Sequence, residues 1–209
     1  MNHLAHAFLA GADDQVLLGG LLGDFWHGAP DPQWPAAICA GVVLHRKIDV
    51  YTDSHAEVAA ARALFVPPLR RYAGILLDVY FDHVLAADWP RQGREPLADL
   101  SARVEVLLRD NRRWLPPQLN RFADYFHQAG LFASYADPDT IERVLAGIGR
   151  RLKHDNPLAT AGPALWRRNA ELRVAFARFF PDLVAFATGK REALLQGVDE
   201  GGDASAPGP

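Results

Sequence analysis

The chain has 209 residues, 49% hydrophobic and 22% charged, with a formal net charge of −3, enough for one globular domain that buries roughly 70% of its unfolded surface. Cys39 stands alone, which excludes a disulfide framework and a cysteine-based zinc site, since each needs a second thiol. The start, Met1-Asn2-His3-Leu4-Ala5-His6, lacks a basic and apolar leader pattern, and no run of about 18 apolar residues occurs, so a cytoplasmic protein without membrane association is expected.

Val, Ile and Thr together number 23 and show no sustained period-two alternation. Strands are therefore not expected, and the fold class is all-α, a single-domain helical bundle. Apolar spacing predicts helices over about 2–10, 14–27, 35–53, 55–64, 68–89, 96–114, 117–134, 138–152 and 163–195. Pro35, Pro67-Pro68, Pro116-Pro117, Pro138 and Pro163 stand where helices start, because proline is tolerated in a first turn and disruptive later. The helical domain is expected over 1–196. The Gly-, Ala- and Pro-rich end, 197–209, has too little apolar area to offset its ordering entropy and is expected to be a flexible tail.

In chain order, the first helix carries His6 among apolar residues. The second opens on Asp13 and Asp14, suited to accept from free backbone amides, and runs through Val16–Gly23 into Asp24. Its Gly19-Gly20-Leu21-Leu22-Gly23 lacks the lysine and hydroxyl of a phosphate loop and follows no strand, so it is read as close helix packing. The third, from Trp34, is uncharged as far as His45-Arg46-Lys47-Ile48-Asp49, then Thr52-Asp53. His45, Asp49 and Asp53 are successive i, i+4 neighbours on one stripe. From Tyr72 to Ala87 the readily charged groups are Asp78, Asp82 and His83. That helix is apolar nearly all round, so it is buried, and its two carboxylates face inward. Buried acids need a base, hydrogen bonds or a metal.

Buried helices thus deliver His6, Asp24, His45, Asp49, Asp78, Asp82 and His83 toward one place. Imidazoles and carboxylates without thiolate suit Mn²⁺, Fe²⁺, Mg²⁺ or Zn²⁺, with the harder ions favoured by the number of oxygens. The plain alternative is an internal salt-bridge network involving Arg46, Lys47, Arg70 and Arg71. His3, His27, His55, His127 and His154 have polar or terminal surroundings and are not expected to do chemistry. There is no Gly-x-Ser-x-Gly elbow, and Cys39 has no basic neighbour, so a serine or cysteine nucleophile is poorly supported.

Charge is uneven along the chain. Residues 1–100 hold 12 acids and 7 bases, whereas 101–191 hold 9 acids and 15 bases. Such halves suit cations and an anionic partner respectively, with solvated helix faces as the plain alternative. Arg109, Arg112 and Arg113, and Arg150 and Arg151, are candidate contacts for an acidic partner. They lack the aromatic interleaving of a nucleic-acid platform, so no nucleic acid is expected.

Together, these stretches resemble the acyl carrier protein phosphodiesterases. The resembling residues are Met1-Asn2-x-Leu4-Ala5-His6-x-x-Leu9-Ala10, then Gly19 with Leu21-Leu22-x-Asp24-Phe25. They continue as Gly41-x-x-x-His45-Arg46-x-Ile48-Asp49-x-x-Thr52-Asp53 and Asp78-x-x-x-Asp82-His83-x-Leu85-Ala86-x-x-Trp89. Beyond these, Gly147, Arg151 and Phe180-Pro181 are scattered matches, and the helical layout is similar over about 1–195.

The resemblance implies an all-α, HD-phosphohydrolase-like, manganese-dependent enzyme that takes the phosphopantetheine arm from holo acyl carrier protein. The products would be the apo carrier and 4'-phosphopantetheine. The expected metal set is Asp24, His45, Asp78 and Asp82 joined by His6, holding Mn²⁺ with Fe²⁺ or Mg²⁺ as alternatives. Arg46 and His83 are expected to handle phosphate charge or protons, and Asp49 and Asp53 to orient ligands. Two other readings stay open: a metal phosphohydrolase for nucleotides or small phosphodiesters, and a nonenzymatic helical scaffold.

Overall fold

The computed structural model describes residues 1–113 and 115–202, the last five by backbone alone. Its elements are α1 (His3–Ala10), α2 (Asp14–Leu22), α3 (Ala36–Ser54), α4 (Ala56–Ala63), α5 (Ala73–Ala87) and α6 (Trp89–Gln92). They continue with α7 (Leu97–Asp110), α8 (Pro117–Ala129), α9 (Leu131–Ser134), α10 (Pro138–Arg151), α11 (Gly162–Trp166) and α12 (Asn169–Gly202). Short 3₁₀ turns at Leu69–Tyr72 and Leu158–Thr160 lead into α5 and α11. No strand occurs among the described residues, and none of their helices is long and apolar enough to cross a membrane.

The helix ends follow local chemistry. Pro117, Pro138 and Pro163 lie in first turns, and the Asp13 carboxylate accepts from the amides of Gln15 and Val16 to start α2. Besides the helix expected over 68–89, which opens as a 3₁₀ turn and divides at Asp88, and the one over 96–114, which ends at Asp110, three expected helices are shorter or divided. The one expected to reach residue 27 stops at Leu22, which turns Asp24 out of its stripe. The one expected to reach 134 breaks at Gly130, whose φ of 52° is left-handed. The third breaks before Asn169, whose side chain accepts from the Tyr80 hydroxyl at 2.6 Å. The final helix continues through Gly202, beyond the expected boundary at 197, and the rest of the expected tail lies outside the described residues.

α5 is the centre of the bundle, buried along almost its whole length from Leu76 through Ala86. α1 packs across it and also touches α2, α3 and α12; α10 covers another side of α5, and α12 lies along α3 and α4. The aromatic core joins Phe81 of α5 to Phe176 and Phe179 of α12. α2 and α3 make the closest pair. A Cβ on Gly19 would collide with the Ile38 carbonyl oxygen, and one on Gly41 with the Val16 carbonyl oxygen. Both obstacles are helix backbone, which cannot swing aside.

Gly19→Ala or Gly41→Ala should therefore cost about 1–3 kcal/mol or more, read as a Tm lowered by about 2–12 °C in thermal denaturation. At Gly20, the nearest atom to an added Cβ is the His6 carbonyl oxygen at 3.9 Å, so Gly20→Ala should be neutral or stabilise by up to about 1 kcal/mol. Equal losses at all three positions would refute the close-crossing account.

Candidate metal centre

The site begins with a carboxylate that is not in it. Asp82, fully buried on α5, accepts from the amides of Leu4 at 2.8 Å and Ala5 at 3.1 Å. These are free donors of the first turn of α1, which Asn2 leaves without a side-chain cap. A carboxylate there is favoured by its charge-assisted bonds and by the helix dipole. Burial pushes its pKa up to about 7 against the pull of the two amides. The bond pair pins α1 to α5 and sets which way His3 and His6, three residues apart, face.

His6 turns toward α3. Its ring stacks on that of His45 at 3.8 Å between centroids, and its Nε2 lies 3.2 Å from Asp49 Oδ1. His45 Nε2 lies 3.2 Å from Asp49 Oδ2 and 3.5 Å from Asp24 Oδ1. Donor atoms of His6, His45 and Asp49 all fall within 4.8 Å of one another. His45 reaches this place because Gly23 has no side chain: a Cβ there would overlap the His45 ring. Asp24, in the turn after α2, completes the group, and His3 Nδ1 lies 3.0 Å from its other oxygen without hydrogen-bonding geometry.

Burial, then the neighbouring His45, pushes the His6 pKa down to about 4, so this imidazole is neutral near pH 7, the form that ligates a metal. Burial opposes ionisation of Asp49, but His45 and His6 win and hold it well below the usual carboxylate range. Asp24 is likewise held low against burial by His3 and His45. His45 is raised despite its burial, through Asp49 and Asp24. Neither ring nitrogen of His6 has a partner in hydrogen-bonding geometry, although the ring is buried. An orphaned neutral imidazole beside two ionised carboxylates fits a divalent cation, because buried polar atoms otherwise find partners. Asp49 keeps 42% of its side chain exposed, leaving the group open to solvent on that side.

Of the other expected site residues, Asp78 borders the group through the Met1 amine, which also lies 3.6 Å from Asp49 Oδ1, and the rest are placed elsewhere. Asp78 meets the Met1 amine at 3.0 Å, with burial raising its pKa despite that contact. Arg46 adjoins His45 in sequence, yet its guanidinium donates to the Trp26 carbonyl at 2.9 Å. Asp53 pairs with Arg62. His83 Nδ1 lies 2.9 Å from the Tyr135 carbonyl oxygen, and its ring packs edge-on against Trp166. Asp49, expected only to orient ligands, stands inside the cluster. His3, expected to be idle, contacts Asp24; its i, i+3 relation to His6 on one helix was the available signal.

The arginines divide into two kinds. Arg112 forms a bidentate pair with Asp124 at 2.7 and 3.0 Å, and Arg109 pairs with Asp110 at 2.9 Å. Arg113 is exposed close by. Arg150 and Arg151 instead line a cleft of about 290 Å³ whose walls include His3 and carry no carboxylate.

The capping role of Asp82 is open to direct test. Asp82→Ala should leave two buried amides unpaired and cost about 1–3 kcal/mol each. Asp82→Asn, which keeps one carbonyl acceptor, should lose less; denaturant titrations that rank the two variants the other way would exclude the cap.

Residues 1–183 match the family model described as acyl carrier protein phosphodiesterase. Relatives named acyl carrier protein phosphodiesterase include one from Klebsiella pneumoniae (strain 342), 35% identical over 192 residues, covering 91% of this chain and 100% of the relative. One from Serratia proteamaculans (strain 568) is 34% identical over 194 residues, with 91% and 100% covered. Another, from Photorhabdus laumondii, is 34% identical over 197 residues, with 91% and 96% covered. No solved structure matches the chain significantly.

Proposed function

The chain belongs to the acyl carrier protein phosphodiesterase family, and from that premise we propose that it releases the phosphopantetheine arm from holo acyl carrier protein. Water is added across the phosphodiester. A P–O bond to the carrier's serine breaks, the serine oxygen takes a proton, and the arm leaves as 4'-phosphopantetheine, a phosphomonoester. A single cysteine suits a reducing compartment, and we place the reaction in the cytoplasm.

The observation that carries a metal-dependent reading is the unpartnered His6 imidazole stacked on His45 and facing the ionised Asp49. His6, His45 and Asp49 would hold the ion, with Asp24 as a fourth donor on the His45 side. When bound, a divalent ion offsets phosphate charge and lowers the pKa of a water molecule toward neutrality. Two imidazoles and two carboxylates without a thiolate admit Mn²⁺, Fe²⁺, Mg²⁺ or Zn²⁺, and the resemblance to the family is what selects Mn²⁺, with Fe²⁺ or Mg²⁺ as alternatives. His3 fixes Asp24 from the cleft side, and Asp82 acts at a distance by holding α1 in place. Arg46, Asp53, Asp78 and His83 then serve by holding the surrounding helices through the contacts they make.

An acidic carrier protein docks where positive charge is not already neutralised. Arg150 and Arg151 meet that condition beside the centre, whereas Arg112 and Arg109 spend theirs on Asp124 and Asp110. Docking at Arg109, Arg112 and Arg113 is accordingly the weaker contribution.

Incubation of the protein with holo carrier protein and Mn²⁺, followed by mass spectrometry, should show loss of one phosphopantetheine group. Carrier that stays intact while free nucleotides are hydrolysed would move the chain to the nucleotide reading. Asp49→Asn should keep the helical circular dichroism, lose Mn²⁺ binding in calorimetry and drop kcat by at least about a hundredfold, more than an outer-sphere change would cause. Wild-type Mn²⁺ affinity in that variant would remove Asp49 from the centre. Arg150→Glu with Arg151→Glu should raise KM for the carrier protein and flatten its salt dependence with kcat little changed; unaltered KM would exclude this docking face.

A further inference from the structure

The cleft that begins where the metal centre ends is formed by α8, α9 and α10 against Asn2 and His3. His3 belongs to both places. One side of its ring faces the cleft and Phe122, at 4.3 Å between centroids, while its Nδ1 lies 3.0 Å from Asp24. The walls are apolar at Phe122, Val144 and Ile148, the mouth is lined by Arg143, Arg150 and Arg151, and no carboxylate occurs on them. Tyr125 and Asn2 add a hydroxyl and an amide. At about 290 Å³ the cleft is at the lower end of small-molecule sites, roughly 300 Å³ and upward.

Gly147 is the informative residue of this wall. A glycine inside a helix costs roughly 0.5–1 kcal/mol relative to alanine and normally has a local reason. Here the backbone is ordinary right-handed helix within α10. Close packing does not explain it either, since the nearest atom to an added Cβ is Arg150 Nη2 at 3.7 Å, ordinary contact. Gly149, two residues on, contrasts: a Cβ there would press on Asn156 Oδ1 at 2.8 Å. What a side chain at Gly147 would take up is space in the cleft.

Building on the proposed reaction, we infer that this cleft seats the pantetheine arm of the substrate, and that the missing side chain at Gly147 sets its width. The arm is linear, uncharged beyond its phosphate, branched with two methyl groups near that phosphate and amide-bearing further out. Apolar walls with an amide and a hydroxyl suit its body. Its phosphate end would lie toward His3, the side nearest Asp24 and His45. Arg150 and Arg151 at the mouth suit the acidic protein to which the arm is attached, whereas Arg143 is paired with Asp137. Arm and carrier are thus read by separate parts of one surface, the first by shape and the second by charge.

Gly147→Leu tests this, with turnover of holo carrier as one readout and competitive inhibition by apo carrier protein, which lacks the arm, as the other. The variant should lower kcat/KM for holo carrier by at least about tenfold, the size expected when a few methylenes crowd a subsite. The inhibition constant of the apo carrier should stay within about twofold, because the charges of Arg150 and Arg151 are retained and the exposed Arg150 guanidinium can move aside. Unchanged kcat/KM, or equal weakening of apo carrier, would overturn the assignment. Gly147→Ala, which adds one methyl at an ordinary contact distance, should give a smaller loss in the same direction and serves if the leucine variant misfolds. A wild-type protein that leaves holo carrier intact refutes the reaction itself, a result separate from either variant's.

Discussion

The structure depends on one buried carboxylate holding the first turn of one helix. Asp82 receives the amides of Leu4 and Ala5 at the middle of the bundle, where an ion without partners would be strongly disfavoured. Two donors and the helix dipole offset part of that cost, burial still raising the pKa to about 7. α1 is only eight residues long, too short to be helical by itself in water. Its register is therefore set by what it meets, and Asp82 meets its first turn. Every ligand or contact that α1 contributes to the centre, His3 and His6 included, inherits its position from that pair of bonds.

A second constraint comes from the absence of side chains. Gly19 and Gly41 let α2 and α3 approach until backbone meets backbone, and Gly23 makes room for the His45 ring. The approach places Asp24, just past the end of α2, within 3.5 Å of His45 on α3. With His6 stacked on His45 from the opposite side, three elements remote in sequence supply donors to one small volume. Two carboxylates are kept ionised there while His6 is kept neutral, and His45, raised by the same carboxylates, would give up its proton to a bound cation.

Around this centre, charge is sorted by pairing. Arg62, Arg109, Arg112 and Arg173 are matched to Asp53, Asp110, Asp124 and Asp88, so they join parts of the fold more than they attract partners. Along the cleft beside His3, Arg143 is paired with Asp137, whereas Arg150 and Arg151 face no carboxylate on its walls. The proposed docking arginines and the candidate metal centre are thereby adjacent, with Phe122, Val144 and Ile148 lining the cleft that His3 shares with both.

The amino-acid sequence by itself determined that the chain is helical, because few β-branched residues and prolines at first turns leave no other regular structure. It also determined that His6, Asp24, His45 and Asp82 lie on or beside apolar helices, and the family motifs run through these residues. Tertiary structure alone decided how they are divided. Periodicity states which residues share a face of one helix, but not which atoms of another element that face meets. Hence Asp78 and Asp82, on one stripe of α5, went to the Met1 amine and the first turn of α1, while Asp49 and His3 joined the centre. A backbone amide is a partner that no residue-type pattern displays, and a cluster drawn from two helices and the turn after a third exists only once their packing has brought them together.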